Sequence, residues 1–203
     1  MPAVERLAAA DLPEAAAVLA RAFAEAPVLT FLLGPGRGRE IELIFGALCR
    51  DAQRAGLVEG VRDGGRLTAA AVWLAPGAHP TPWRREARMA PAWLRLATMH
   101  PRAIPRLLKA THALDALHPH APHWFLSLLG TEPALQGRGL GRALVEQGVR
   151  RAEEGGNPVH LDTDLPENVA WYRRFGFEVS DEVRVMPGAP PSWGMRTSTA
   201  HRG

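Results

Sequence analysis

The residues with the most chemistry to offer lie between His123 and Arg142. There the run His123-Trp124-Phe125-Leu126-Ser127-Leu128-Leu129 leads into Gly130-Thr131-Glu132-Pro133 and then Gln136-Gly137-Arg138-Gly139-Leu140-Gly141-Arg142. The first segment is a short aromatic and apolar run suited to a buried strand. Gly130 to Pro133 is expected to end that strand, because proline cannot donate to a ladder. Three glycines then crowd into a turn, and Arg142 to Glu154 reads as a helix. Strand, glycine-rich turn and helix together point free backbone N–H groups at a phosphate. Two familiar phosphate binders fail on spacing. A P-loop needs Gly-Lys-Ser/Thr, and Gly141 is followed by Arg142 and Ala143. A dinucleotide fingerprint needs a third small residue where this chain has Arg142 or Leu144.

The pattern that does fit is Q/R-x-x-G-x-G/A, met by Gln136, Gly139 and Gly141. A second stretch, Asn168-Val169-Ala170-Trp171-Tyr172-Arg173-Arg174-Phe175-Gly176-Phe177, places Asn168 and Tyr172 four apart on one helix face. Together the two stretches resemble the GNAT superfamily of acetyl-CoA-dependent N-acyltransferases. Within it, Pro122-His123-Trp124 and the C-terminal Pro190-Pro191-Ser192-Trp193-Gly194-Met195-Arg196 are similar to the puromycin N-acetyltransferase-like branch.

The resemblance implies an α/β (α+β) GNAT acyl-CoA N-acyltransferase fold. This is a central mixed, mostly antiparallel twisted sheet flanked by helices, with a helical insertion before the fourth strand. One domain spans residues 1–203, the insertion covering about 80–122. The implied activity moves an acetyl group from acetyl-CoA to a primary amine of a small molecule, by direct attack in a ternary complex and with no metal. Gln136, Gly137, Arg138, Gly139, Leu140, Gly141 and Arg142 would hold the pyrophosphate. The backbone of Leu129, Gly130 and Thr131 would pair with the pantetheine and supply the oxyanion donor. Asn168 would face the cofactor, and Tyr172, the only tyrosine, would protonate the thiolate. Many members carry a glutamate base on the fourth strand where this chain has Ser127. Glu132, Asp162, His123 or a water chain are the remaining candidates. Two alternatives keep the fold: an acyl-CoA-binding regulatory protein, and a peptide or protein N-acetyltransferase.

Composition narrows the setting. Hydrophobic residues at 46% and charged residues at 22% are globular values, and a net charge of +3 gives no case for nucleic acid. The arginines are scattered, without an aromatic-interleaved basic run. No run of 18 apolar residues spans a membrane, and Glu5 and Asp11 break any signal-peptide pattern. Cys49 stands alone and reads as packing. The expectation is a cytoplasmic, bacterial-type enzyme with a small-molecule partner, no nucleic acid and no membrane, and with a homodimer as a permitted assembly.

The positioning elements follow from periodicity. Asp11-Leu12-Pro13-Glu14 resembles a capping box opening a helix that runs toward Pro27. Arg39 to Ala55 is a second helix, and 57–62 and 66–74 form a hairpin around Asp63-Gly64-Gly65. Two helical stretches, 81–100 and 101–117, are expected to wall the acceptor pocket. Their histidines, His100, His112, His118 and His120, lack a zinc spacing and read as surface or turn residues. Strands at 159–163, 177–185 and 192–197 complete the sheet. A short helix capped by Asn168 runs to Phe175.

Overall fold

The computed structural model describes residues 2–78 and 83–198. In chain order the strands are β1 (Val4–Arg6), β2 (Gly56–Asp63), β3 (Arg66–Leu74), β4 (Trp124–Thr131), β5 (Val159–Thr163), β6 (Phe177–Arg184) and β7 (Pro191–Thr197). The helices are α1 (Leu12–Ala22), α2 (Pro27–Leu33), α3 (Gly38–Ala55), α4 (Trp83–Met99), α5 (Ala103–Asp115), α6 (Leu140–Glu154) and α7 (Pro166–Arg173). The strands form one seven-stranded sheet in the order β1-β2-β3-β4-β5-β7-β6. Every pair is antiparallel except β4 with β5. The expected fold class is therefore the observed one.

Alternation along the strands explains the two layers. Val58, Val72 and Leu128 face one core with α1, α2, α3 and the insertion helices. Trp73, Leu126, Leu161 and Met195 face the other, packed with α6 and α7. Cys49 is fully buried in the first core, and its thiol is pushed up to about 12 by burial. It packs among the apolar side chains of that core. No single helix among the described residues is long and apolar enough to cross a membrane.

The helix that begins after the glycine turn is held against the sheet by a tight approach and an ion pair. A Cβ on Gly148 of α6 would lie 2.0 Å from the Trp73 indole, so only glycine lets that helix sit on this tryptophan. One turn on, Arg151 donates from Nη1 at 2.6 Å and Nη2 at 3.2 Å to the buried Glu59 carboxylate of β2. Its guanidinium also lies over the rings of Trp73 and Trp124.

Several local expectations give way. The capping box does not form: Asp11 accepts from the Ala8 N–H at 2.8 Å, and Glu14 reaches across to the Leu67 N–H. Arg62 draws both carboxylates toward the hairpin, which outweighs the local cap. The first helix stops at Ala22, and Pro27 opens the separate α2. β4, by contrast, ends at Thr131, inside the expected Gly130 to Pro133 stop, with β3 paired to it up to that residue. The later helix starts at Pro166, two residues before Asn168, with proline in its first turn and Leu165 as its cap. Residues 79–82, at the start of the expected insertion, lie outside the described residues.

Replacing Gly148 by Val is expected to destabilise the protein by about 1–3 kcal/mol, the usual cost of overpacking. Denaturant melts measure this, and an unchanged midpoint would contradict the packing of Trp73 under α6.

Candidate active site

The site begins with a break in strand pairing. β4 pairs with β5 only through Trp124–Val159, Phe125–His160 and Leu126–Leu161. Beyond that row the two strands part, while β3 continues to pair with β4 up to Thr131. The β3–β4 register slips by one residue at Ser127, between the Leu126 and Leu128 pairs. Such a bulge re-aims a strand. Ser127 on β4 and Asp162 on β5 are thus the first residues on either arm of the wedge. Backbone groups of β4 from Ser127 onward that point toward β5 have no strand partner there. Unpaired strand groups of this kind are a template for an extended polar ligand.

The glycine loop follows directly from the open end of β4, through the short 3₁₀ turn Pro133–Leu135. Gly137 and Gly139 take φ of 78° and 80°, the left-handed region that side chains disfavour. A Cβ at either would meet nothing within 4 Å, so the backbone is bare to whatever approaches it. The first helical bond runs from the Ala143 N–H to the Gly139 carbonyl. The N–H groups of Gly139 to Arg142 precede it and form the positive end of α6. Arg142 pairs with Glu146 at 2.7 Å, and Arg138 is exposed.

α7 leans on this loop: a Cβ at Gly141 would lie 3.9 Å from Trp171, the residue before Tyr172. Asn168 is half-buried and Tyr172 buried, one turn apart on α7. Burial raises the pKa of the Tyr172 hydroxyl, which keeps it protonated. Of the expected backbone ligands, Leu129, Gly130 and Thr131 all lie on the open arm of β4. Gly130 sits where α1 crosses closely, a Cβ there being 2.8 Å from Ala22.

The base candidates separate. Glu132 holds Arg21 in an ion pair, with bonds to Nε at 3.0 and 3.1 Å. Asp162 and His123 instead join a cluster that the sequence did not reveal, with His118 and His160. His160 Nε2 donates to Asp162 Oδ1 at 3.0 Å, and His118 Nε2 lies 3.9 Å from Asp162 Oδ2. His118 is therefore not a surface residue; its side chain is 7% exposed. One signal could have exposed the cluster. His160 and Asp162 are two polar residues on one face of a central strand that carries Val159, Leu161 and Thr163 on the other.

Ligand atoms of His118, His160 and Asp162 lie within 4.8 Å of one another, the spacing of a metal site. The hydrogen-bond polarity disfavours one. A metal on His160 Nε2 would move the ring proton to Nδ1, which is buried without a partner.

Two further features frame the site. Asp164, just past β5, accepts from the Val28 N–H at 2.8 Å and so ties the start of α2 to the wedge. A cleft of about 670 Å³ lined by Arg6, Arg54, Arg84 and Trp124 lies where β4 begins, at the opposite end from the glycine loop.

Comparison with known proteins agrees with this geometry. Residues 105–177 match the model of the acetyltransferase (GNAT) family. An uncharacterized N-acetyltransferase from Schizosaccharomyces pombe is 26% identical over 190 residues, 89% of this chain and 76% of that protein. A solved structure of a histone acetyltransferase HPA2 and related acetyltransferase from Corynebacterium glutamicum superposes with a TM-score of 0.73 at 24% identity. It covers 97% of this chain and 95% of its own. Arylalkylamine N-acetyltransferase 2 from Aedes aegypti gives a TM-score of 0.71 at 13% identity, covering 97% and 98%. Fold and sequence agree on the class: residues 105–177 match the GNAT acetyltransferase family, and the proteins the chain resembles are N-acetyltransferases, which supports an enzyme of that type.

Replacing Asp164 by Ala is expected to cost about 1 kcal/mol, as loss of a capping carboxylate usually does. The loss should be local, seen as faster amide hydrogen exchange across 28–33. Unchanged exchange there would mean that the carboxylate does not hold α2.

Proposed function

We propose that the chain transfers an acetyl group from acetyl-CoA to the primary amine of a small molecule. The observation that carries this reading is the wedge between β4 and β5, with the glycine loop continuing directly from its open arm. A pyrophosphate is well matched by the bare backbone at Gly137 and Gly139 and by the leading N–H groups of α6. Gln136, Arg138, Leu140, Gly141 and Arg142 complete that cradle. Leu129 to Thr131 offer strand-like pairing to the pantetheine amides, and a backbone N–H there is the donor for the thioester oxygen as it becomes an oxyanion. Asn168 faces the same ligand from α7.

Tyr172 fits the acid role for a physical reason. Burial keeps its proton on but also makes it a weaker acid, so donation to the departing thiolate has to be coupled to its own reprotonation. A buried tyrosinate would be costly, so the proton must be restored quickly by the second proton shed from the attacking nitrogen. On the acceptor side the insertion helices pack over the sheet: α5 lies against α2 and β6. That coverage supports a compact amine over an extended peptide, and several structural relatives are named for small amines. The puromycin-like motifs at Pro122–Trp124 and Pro190–Arg196 add aminonucleosides to the acceptors to be tried. The lone buried cysteine fits a cytoplasmic setting.

The test is thiol release from acetyl-CoA against arylalkylamines, polyamines, aminonucleosides, amino acids and short peptides, with a thermal shift by acetyl-CoA alongside. Turnover with one small-amine class is the expected result; turnover with peptides alone would replace the acceptor class. At a hundredfold excess over Kd, acetyl-CoA should stabilise the fold by about 2.7 kcal/mol. Tyr172→Phe is expected to lower kcat at least tenfold while leaving acetyl-CoA affinity unchanged, and equal turnover would remove the acid role. Gly139→Val should abolish the thermal shift, because φ near +80° excludes a branched side chain. A normal shift in that variant would sink the loop assignment.

A further inference from the structure

The arginines are scattered along the chain, yet the fold gathers five of them at one end of the sheet. Arg6 ends β1, Arg54 stands in the last turn of α3, and Arg84, Arg85 and Arg88 lie in the first turns of α4. All five line the cleft of about 670 Å³ where β4 begins, and Trp124 adds an aromatic wall. Among the described residues no carboxylate lines that cleft.

Two of the five are fixed from within the fold. Asp51 of α3, its side chain only 4% exposed, accepts from Arg85 Nε at 2.7 Å on one oxygen and from Arg88 Nη2 at 2.9 Å on the other. Arg85 Nη1 also donates to the Ala78 carbonyl at 2.6 Å. Two guanidiniums on one carboxylate leave this triad with one uncompensated positive charge. Charges taken out of water are costly unless they are paired, and here one partner is missing. Arg6 and Arg54 make no side-chain hydrogen bond or ion pair among the described residues, and Arg84 lies over the Trp83 ring.

The rim includes a fixed turn. Ala75-Pro76-Gly77-Ala78 is closed by the Ala78 N–H on the Ala75 carbonyl at 3.0 Å, with Gly77 at φ 85°. Pro-Gly at the centre of a turn sets that geometry. A Cβ on Gly77 would meet nothing within 4 Å, so the backbone there is bare.

We infer that this cleft is a second ligand site, for a small organic polyanion carrying two or more carboxylate or phosphate groups. Planar guanidinium forks match such groups two bonds at a time. A cleft lined by one sign of charge also concentrates its counter-ion. Arg88 bonds Asp51 through Nε and Nη2, which leaves Nη1 for a ligand, and an anion there completes the pairing that the triad lacks. The volume suits a molecule of metabolite size, and Trp124 offers its carbon body an apolar surface.

The site stands apart from acetyl transfer and does not depend on that reading. β4 runs from Trp124 at the cleft to Thr131 before the glycine loop, a span of roughly 24 Å at the usual strand rise.

Calorimetric titration with citrate and with tripolyphosphate, at constant ionic strength and with and without acetyl-CoA, tests this. At least one of the two should bind saturably, and the tighter one tells whether carboxylates or phosphates fit better. Its affinity should be the same with acetyl-CoA present, and amide hydrogen exchange should slow across 54–57, 75–78 and 84–88. Arg6→Gln and Arg54→Gln change exposed side chains and should leave the melting midpoint of the free protein unchanged. Each should weaken the anion about tenfold, the loss of one hydrogen bond to a charged group. No saturable binding of either anion, wild-type affinity in both variants, or equal protection by acetate would overturn the inference. Competition by acetyl-CoA would overturn the assignment of a second site. A single-stranded oligonucleotide that protected the same segments more strongly than either anion would overturn the small-ligand assignment in favour of nucleic acid. An acetyltransferase assay that failed while citrate or tripolyphosphate bound as described would remove the acetyl-transfer reading and leave this site standing.

Discussion

Three residue pairs join β4 to β5, and the strands then part while β3 keeps its hold on β4 to the end. Most of what the molecule can do depends on that incomplete pairing. Backbone N–H and C=O groups are obligatory hydrogen-bonding groups. A central strand that leaves some of them unpaired on one side has an inner edge that only an extended polar chain satisfies well. The parallel relation of β4 and β5 makes the wedge possible, since the crossover between them is the loop and helix that a pyrophosphate would need.

A wedge is useful only when its arms are rigid, and the surrounding contacts supply this. On one face α6 is fixed by Trp73 under Gly148 and by Arg151 on Glu59. Glu59 is a buried carboxylate, and removing either partner would strand a charge, so the pair specifies position more than it stabilises. On the other face α1 lies close to Gly130, and Asp164 reaches back to the start of α2. The two arms thus carry different partners. The β4 arm leads to the glycine loop, and the β5 arm carries Asp162 and His160.

The sequence was readable where chemistry is local. Gln136 to Arg142 announce their conformation by themselves, since two glycines at positive φ followed by a helix leave few alternatives. The hairpin at Gly64-Gly65 and the strand at 159–163 were legible for the same reason. What stayed hidden was long-range. Asp11 and Glu14 looked like a local cap, but Arg62 offered a better partner from β2. His118 looked like one of several turn histidines. It is covered by the rings of Phe125 on β4 and His160 on β5, 7 and 42 positions further along the chain (125 − 118 = 7; 160 − 118 = 42).

Amide hydrogen exchange with and without acetyl-CoA is the most direct test of the central claim, that the wedge and its loop receive the thioester ligand. Slower exchange confined to amides at 127–131 and 139–142 is the result this account predicts. No change in those two segments, with protection instead at the arginine-lined cleft by Arg6 and Arg54, would contradict it.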